Sequence, residues 1–216
     1  MVRTLLAAVA LMCAIAVSPA DAAFTDHDGS LKFTVYRGGS EIGTHTLKFH
    51  KDGKSLDVSI KTDIAVKLPI VGITVYRFEH EGSEVWTDGH LTALHSKTNE
   101  DGTAHHLDVH ANGSGLSVEG DGRTGVSKPS IIPASLWDEG LVKSSVLLNT
   151  LDGREMSVTV DDKGNDDVMV GGTPVKARHF VISGELKREV WYDADRRLVK
   201  IRFAGKDGST ITYLLK

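Results

Sequence analysis

Cysteine is almost absent from this chain. The single cysteine is Cys13, which lies within the apolar run at residues 5–17. A bacterial lipoprotein carries its cysteine at the cleavage point, after a small residue, whereas Cys13 follows Met12 and is followed by further apolar sequence. We therefore expect no lipidation, and a cysteine-free mature chain without disulfides or thiolate metal ligands. Such a chain must depend on an ordinary hydrophobic core.

Blocks of one charge and long apolar runs are also missing. The formal net charge is −4, and acidic and basic residues alternate along the chain without a basic cluster. This pattern argues against nucleic-acid and anionic-membrane partners. Residues 5–17 form the longest apolar run, and a membrane-spanning helix needs roughly 20 apolar residues. We expect no transmembrane segment in the mature chain.

The first 22 residues have the order of a secretory signal peptide. Arg3 gives a basic start, residues 5–17 form the apolar centre, and Ala20 and Ala22 provide the small residues of a cleavage site. The sequence therefore predicts cleavage after Ala22 and a periplasmic or secreted protein. Residues 23–216 are predicted to form a single β-meander domain.

Asp-Gly and Gly-Gly pairs recur through the mature chain, roughly every ten residues or a little more. These pairs favour tight hairpin turns, and the segments between them alternate apolar and polar residues as strands do. Residues 56–68 alternate most strictly. The predicted sheet has about eleven strands. Candidate strand segments are residues 31–37, 41–50, 55–68, 73–81, 84–87, 91–99, 103–111, 115–119, 154–160 and 173–183, with a C-terminal set of three between 185 and 215.

Residues 131–151 break the alternation. Pro133 suits a first helical turn, and Leu141, Ser145 and Leu148 recur at helical spacing. The predicted fold is mainly β: a strongly curved antiparallel β-meander, a half-barrel or open barrel, with this short helical insert in its concave face. A closed up-and-down β-barrel is the alternative.

Two hairpins resemble each other. The stretch EVWTDGHL begins at Glu84 and EVWYDADRRL begins at Glu189, so that Asp88 corresponds to Asp193. Aspartate in a turn accepts hydrogen bonds from nearby backbone N–H groups. We interpret the repeat as shared turn architecture rather than a duplicated catalytic site.

Histidine is frequent, and the stretch HHLDVH places His106, Asp108 and His110 on one face of a strand. A metal ion would need a further ligand, such as His95 or His50. The favoured interpretation is a solvated polar face, and the sequence assigns no metal, no cofactor and no catalytic residue. No nucleophile elbow or phosphate-binding loop is present.

The apolar stretch at residues 64–78 turns at Pro69 and Gly72, which places apolar side chains at a hairpin tip. Such a tip marks a ligand mouth or a partner surface, or it folds over the end of the core. Together with the insert, it predicts an apolar cavity. The predicted lining is Val66, Leu68, Ile73, Tyr76, Trp137 and Leu141.

Three stretches carry a resemblance to known proteins: residues 76–102, the sequence PASLWDEGLV and the sequence VWYDADRRLVKIRFAGKDGS. They resemble an uncharacterised family of exported bacterial β-rich proteins of unknown function. The C-terminal stretch is also similar to the closing hairpins of the periplasmic lipoprotein-carrier and lipoprotein-receptor superfamily. That similarity implies a curved sheet with helices at its mouth, and neither resemblance brings catalytic residues.

These features predict a non-enzymatic periplasmic binder or carrier. Its ligand would be a lipid, an acyl chain or an apolar segment of another envelope protein, held on the concave face. Two alternatives stay open: a cofactor-free enzyme that uses the same cavity, in which ionisable residues converge, and a structural envelope docking module with a filled core and an exposed apolar tip.

Overall fold

The computed structural model describes residues 29–67 and 72–216, and about 71% of them lie in strands of one β-sheet. The predicted signal peptide and its predicted cleavage site therefore lie outside the described residues. The strands are β1 (Gly29–Arg37), β2 (Ser40–Asp52), β3 (Ser55–Lys67), β4 (Thr74–Thr87), β5 (His90–Glu100), β6 (Thr103–Ala111), β7 (Leu116–Gly120), β8 (Arg123–Ser127), β9 (Ile132–Pro133), β10 (Val146–Leu148), β11 (Glu155–Val170), β12 (Thr173–Gly184), β13 (Arg188–Asp193), β14 (Leu198–Ala204) and β15 (Thr210–Leu215).

The sheet order is β8-β7-β6-β5-β4-β3-β2-β1-β15-β14-β13-β12-β11-β10-β9. Neighbours are antiparallel throughout except for the parallel pair of β9 and β10. The first and last strands of the meander, β1 and β15, pair in the middle of the order. Strands β8 and β9 are the two edges, so the sheet is curved and unclosed. The open, curved meander is confirmed, and the described strands do not close into a barrel.

Strand β3 shows why the alternation predicts the inner face. Leu56, Val58 and Ile60 are buried, while Asp57 and Ser59 between them are exposed. Successive side chains of a strand point to opposite faces, so the apolar set faces the core. One hydrophobic cluster joins residues from both halves of the sheet with residues of the insert.

The long hairpin of β11 and β12 extends beyond its predicted length. The segment between Asp161 and Asp167 is polar and carries no apolar alternation, yet it pairs with β12 around a bulge between Asp162 and Gly164. Arg178 donates through Nε to Asp162, at 2.9 Å, across the exposed part of the ladder. Cross-strand pairing and charge complementarity, rather than burial, hold this extension.

The helical prediction for residues 131–151 is wrong in detail. The segment contains one short 3-10 helix, Glu139–Lys143, whose N-cap Asp138 accepts a hydrogen bond from the Gly140 N–H. Pro133 ends strand β9 instead of starting a helix, and Leu147 and Leu148 belong to β10, which pairs with β11. Tertiary pairing with neighbouring strands therefore overrides the helical spacing. None of the helices in residues 29–67 and 72–216 is long and apolar enough to cross a membrane.

The insert lies across the concave face, where it contacts both halves of the sheet. The Trp137 indole donates to the Glu84 carboxylate on β4, and the Tyr192 hydroxyl on β13 donates to the Leu136 carbonyl at 2.7 Å. Beyond the insert, the chain packs against β7: a Cβ at Gly120 would lie 2.7 Å from the Asp152 carbonyl oxygen. Only glycine permits this approach of the two backbones.

Candidate ligand cavity at one end of the sheet

A cavity of about 670 Å³ lies between the insert and the inner face at one end of the sheet. This volume is in the range of small-molecule sites, which are mostly apolar with a few polar groups. Its apolar wall consists of Ile42, Ile64, Val66, Val75, Phe78, Phe203, Ile211, Ala134, Leu136, Leu151, Met156 and Leu186. Tyr76, Tyr213 and Arg188 add polar atoms to the wall.

The register of the strands places four apolar residues of the cavity wall next to each other in pairs. Ile64 on β3 stands opposite Phe78 on β4, and Ile211 on β15 stands opposite Phe203 on β14. Ile64 and Ile211 are buried in a small cluster with Val35, against which the two phenylalanines pack. This cluster is separate from the main core, because the insert covers the main core and leaves this end of the inner face unfilled.

Leu136 forms part of the floor in an uncommon backbone conformation. Its φ is 67°, in the left-handed region that a bulky residue rarely adopts. The Tyr192 hydroxyl donates to its carbonyl oxygen and holds the peptide in place. Strained backbone of this kind is retained where surrounding structure fixes it, and here it turns the Leu136 side chain toward the cavity.

The charged groups at the rim are paired with one another. The Arg37 guanidinium contacts the Asp207 carboxylate, and Lys206 Nζ lies 2.7 Å from a Glu100 carboxylate oxygen. Hydrogen bonds from Ser209 and then from Arg37 hold the pKa of Asp207 below its usual range. At these two positions each positive charge of the rim is therefore matched by a negative charge.

Arg188 differs from the rim cations because it faces the interior. It precedes Val190 and Tyr192 on the inner face of β13, and these two residues are fully buried. Its guanidinium carbon lies 3.9 Å from the centroid of the Phe203 ring, and its Nη1 donates to the Lys187 carbonyl at 2.8 Å. No carboxylate among the described residues forms an ion pair with it. Burial lowers the pKa of Arg188.

Tyrosine hydroxyls complete the polar part of the wall. Burial raises the pKa of Tyr213 to about 12, and burial also raises the pKa of Tyr76. Both phenols therefore stay neutral at physiological pH and can donate hydrogen bonds. The arrangement of two neutral phenols and one guanidinium on an apolar wall suits a ligand with a long apolar part and a small polar part.

Of the six residues predicted to line a cavity, some line it in the structure and others lie elsewhere. Val66 and Tyr76 line it, whereas Ile73 is 60% exposed beside it. Trp137 and Leu141 are buried in the main core and do not line the cavity, which corrects their expected place. Leu68 lies outside the described residues.

The orientation of two neighbouring side chains explains why Trp137 does not line the cavity. Trp137 turns toward the core, where it packs edge-on against Trp86 and Phe49 with ring centroids 5.5 Å apart in each case. Its neighbour Leu136 faces the cavity instead. Sequence reasoning also missed Arg188, although the alternation of Arg188, Val190 and Tyr192 offered a signal: an arginine occupies an inward-facing position.

The repeated hairpins do not form a common site. Trp86 faces the core and donates to Glu84 at 2.9 Å. Trp191 occupies the opposite face from Val190 and Tyr192, where it stacks on His179 and donates to Asp166 at 2.8 Å. The two tryptophans therefore point to different sides of the sheet.

On the outer surface, His95 of β5 stands directly opposite Asp108 of β6. Their side chains hydrogen-bond, and His110 packs edge-on against His95 with ring centroids 5.0 Å apart. One ligand atom each from His95, Asp108 and His110 lies within 4.8 Å of the other two. His95 thus joins two of the three residues that the sequence places on one face, while His106 stays outside the group.

Comparison with a solved structure supports the architecture. The chain is similar to a crystal structure titled as a beta-barrel-like protein of the domain of unknown function DUF1849 from Brucella abortus, with a TM-score of 0.59 and 11% identity. The match covers 88% of this chain and 94% of that chain. At this identity the likeness concerns the fold.

Comparison of the sequence is consistent with the predicted resemblance to an uncharacterised β-rich family. No curated protein matches the sequence. Residues 33–216 match the family described as a domain of unknown function, DUF6134. The match spans the meander from β1 to the C-terminal strand, and the chain therefore belongs to the DUF6134 family.

Proposed function

We propose that this chain is an exported periplasmic binding protein that holds a hydrophobic ligand in the cavity at the end of the sheet. The observation that carries the proposal is the apolar cavity itself, about 670 Å³ in volume and left open by the insert. Signal-peptide order in the first 22 residues supports export. The bound ligand is a lipid, an acyl chain or an apolar segment of another envelope protein.

The distribution of charge supports binding over catalysis. Two rim cations pair with rim carboxylates, Arg37 with Asp207 and Lys206 with Glu100. Most of the remaining lining is apolar, and its further polar residues are Tyr76, Tyr213, Arg188, Lys187, Glu185, Arg154, Asn149, Thr150 and Ser209. A general acid–base mechanism requires ionisable groups within hydrogen-bond reach of a reacting atom, and the rim pairs direct their charges toward each other.

Exposed apolar residues at the mouth give a route for the ligand. Ile73 is 60% exposed and Val75 is 49% exposed, and Val75 also lines the cavity. A patch of this kind suits transfer of an apolar ligand between a donor surface and the cavity. It is also the feature that a docking module would use, so the test must separate cavity binding from surface docking.

The test is a titration of the delipidated exported protein with N-phenyl-1-naphthylamine, a neutral fluorophore that brightens in apolar surroundings. We expect saturable binding of one molecule per chain at micromolar concentration. Val66→Trp should weaken this binding at least tenfold, because Val66 lines the cavity and a larger side chain fills it.

Val126→Trp is the matched control, since Val126 lies on the edge strand β8, is 68% exposed and does not line the cavity. It should bind the fluorophore within twofold of the unmodified protein. Absence of saturable binding, or equal loss in the two variants, would rule out the cavity as the binding site. The exposed residues Ile73 and Val75 would then favour the docking module.

A further inference from the structure

We propose that the cavity selects amphiphiles with one anionic headgroup, a carboxylate or a phosphate, and that Arg188 binds this headgroup. The inference rests on the proposed function and names the chemistry of its ligand. It is carried by the position of a guanidinium inside an apolar wall with no carboxylate partner among the described residues.

Arginine is costly at such a position. Guanidinium stays charged in proteins, and buried charges are normally paired. The partners that the described structure provides are the face of Phe203 and one carbonyl oxygen, that of Lys187. A guanidinium has five N–H donors. Among the described residues only one acceptor, the Lys187 carbonyl oxygen, bonds to the Arg188 guanidinium, so most of its donors are available to a ligand.

The cavity places other suitable groups around this donor. Tyr213 and Phe203 line the same wall, and their ring centroids lie 6.0 Å apart. Lys187 is also part of the lining and forms no ion pair with a described residue. A planar guanidinium can bind a carboxylate or phosphate through two parallel hydrogen bonds. Ile64, Phe78 and Leu136 then supply the apolar surface for an alkyl chain.

The experiment compares three ligands with the same chain length: dodecanoate, dodecyl phosphate and dodecanol. Each displaces N-phenyl-1-naphthylamine from the protein at pH 8. We expect at least one anionic ligand to bind tenfold or more tightly than dodecanol, and the better of the two identifies the headgroup as carboxylate or phosphate. Arg188→Met should abolish this difference while the affinity for dodecanol and for the fluorophore changes less than threefold.

Arg37→Met is the control for loss of a positive charge at the same end of the sheet, because Arg37 already pairs with Asp207. It should keep the preference for the anionic ligand. Without ligand, Arg188→Met should melt at the same temperature as the unmodified protein or higher, since it removes a half-buried charge that has no ion-pair partner among the described residues.

The outcomes separate the two proposals. If the fluorophore does not bind, the proposed function fails. If it binds but the three ligands compete equally, or if Arg188→Met keeps the preference, the headgroup inference alone is wrong. A lower melting temperature of Arg188→Met with equal competition would assign Arg188 to packing against Phe203.

A different observation points to a second site, on the outer face. We infer that His95, Asp108 and His110 bind a divalent transition-metal ion such as Zn²⁺ or Ni²⁺. The three ligand atoms lie within 4.8 Å of one another, a separation that one ion can bridge. Two imidazoles and one carboxylate form a donor set that these ions accept, and further coordination positions stay open to water or to another molecule.

Strand geometry explains the convergence. His95 and Asp108 are directly opposed on neighbouring antiparallel strands, and His110 follows Asp108 by two residues and shares its face. His106 precedes Asp108 by two residues on this same face but does not belong to the group. It therefore provides a matched control.

Calorimetric titration of EDTA-treated protein with Zn²⁺ and Ni²⁺ at pH 7.5 tests this site. We expect one ion per chain, with a loss of tenfold or more in affinity for His95→Ala and for His110→Ala, and less than a twofold change for His106→Ala. Binding that is unchanged in the first two variants, or no binding at 50-fold excess of metal, would contradict the inference.

Discussion

The Trp137 indole nitrogen lies 2.9 Å from Oε2 of Glu84, and through this hydrogen bond the insert is joined to the inner face of the sheet. The same oxygen accepts a second hydrogen bond from Trp86, also at 2.9 Å. Glu84 is 1% exposed, and its other oxygen has no hydrogen-bond partner among the described residues. Burial raises the pKa of Glu84.

Glu84→Gln tests this buried carboxyl group. A carboxyl whose pKa is raised by folding contributes stability below its unfolded pKa and loses that contribution as pH rises. The unmodified protein should therefore lose stability relative to Glu84→Gln as pH increases from 4 to 8, by about 1 kcal/mol or more, the usual cost of an unmatched buried polar group. Urea unfolding at several pH values measures the difference.

Because Asp138 is present in both proteins, its own raised pKa contributes to both profiles, and subtracting one profile from the other isolates the change at Glu84. Glu119→Gln, at an exposed position of β7, is the matched control for loss of one negative charge. A constant difference between Glu84→Gln and the unmodified protein at all pH values would contradict the prediction.

Two buried histidines predict acid sensitivity. His45 Nδ1 lies 2.8 Å from the Thr62 hydroxyl, and His80 Nδ1 lies 2.7 Å from the Thr98 hydroxyl. Burial lowers the pKa of His45 to about 3 and that of His80 to about 4. The unfolded chain therefore takes up protons first as pH falls below 6.5. Each histidine should cost about 2 kcal/mol of stability between pH 8 and pH 5.

His45→Asn should remove about half of that pH dependence. The asparagine amide can occupy the position of Nδ1 and keep the contact with Thr62, while it has no group that titrates. Denaturant unfolding of the two proteins at pH 5 and pH 8 gives the comparison. Parallel profiles would show that His45 is solvated or charged in the folded protein.

The turn residues Asp88 and Asp193 should differ in their effect on stability. Asp193 accepts hydrogen bonds from the backbone N–H groups of Asp195 and Arg197 and pairs with the Arg197 guanidinium. Asp193→Ala should cost about 1–3 kcal/mol, because two part-buried N–H donors lose their acceptor. Thermal unfolding of the variant measures this cost.

Asp88 instead adopts a left-handed backbone, with φ 50°, in an exposed turn next to Gly89. Asp88→Ala should cost about 1 kcal/mol or less, and Asp88→Asn should be nearly neutral, since asparagine tolerates this conformation. Equal losses at Asp88 and Asp193 would mean that the two turns are stabilised in the same way.

Export predicts a defined N-terminus. The intact mass of the protein recovered from the envelope should correspond to a chain that begins at Ala23 and carries no acyl group. The measurement is a single mass spectrum. A mass that includes Cys13, or an added lipid, would overturn the predicted cleavage and with it the cysteine-free mature chain.

Local sequence predicts the strands well where one face is buried. The alternation in β3 gives its inner face because side chains of a strand point alternately to the two sides. The same reasoning fails where a strand is polar throughout, as between Asp161 and Asp167, since pairing with β12 leaves no apolar signal. It also fails in the insert, where Leu147 and Leu148 are extended because β10 pairs with β11.

The meander, its turns and the presence of an apolar segment that must cover the inner face can be read from local sequence. These properties depend on neighbouring residues and on a period of two. Which residues line the cavity depends instead on the packing of distant segments. Trp137 turns to Glu84 while Leu136 faces the cavity, and Arg188 reaches the same wall from a strand more than 50 residues further along the chain. These contacts depend on how much of the space inside the curved sheet the insert fills. That depends on side-chain packing between distant segments, which a local sequence pattern does not show.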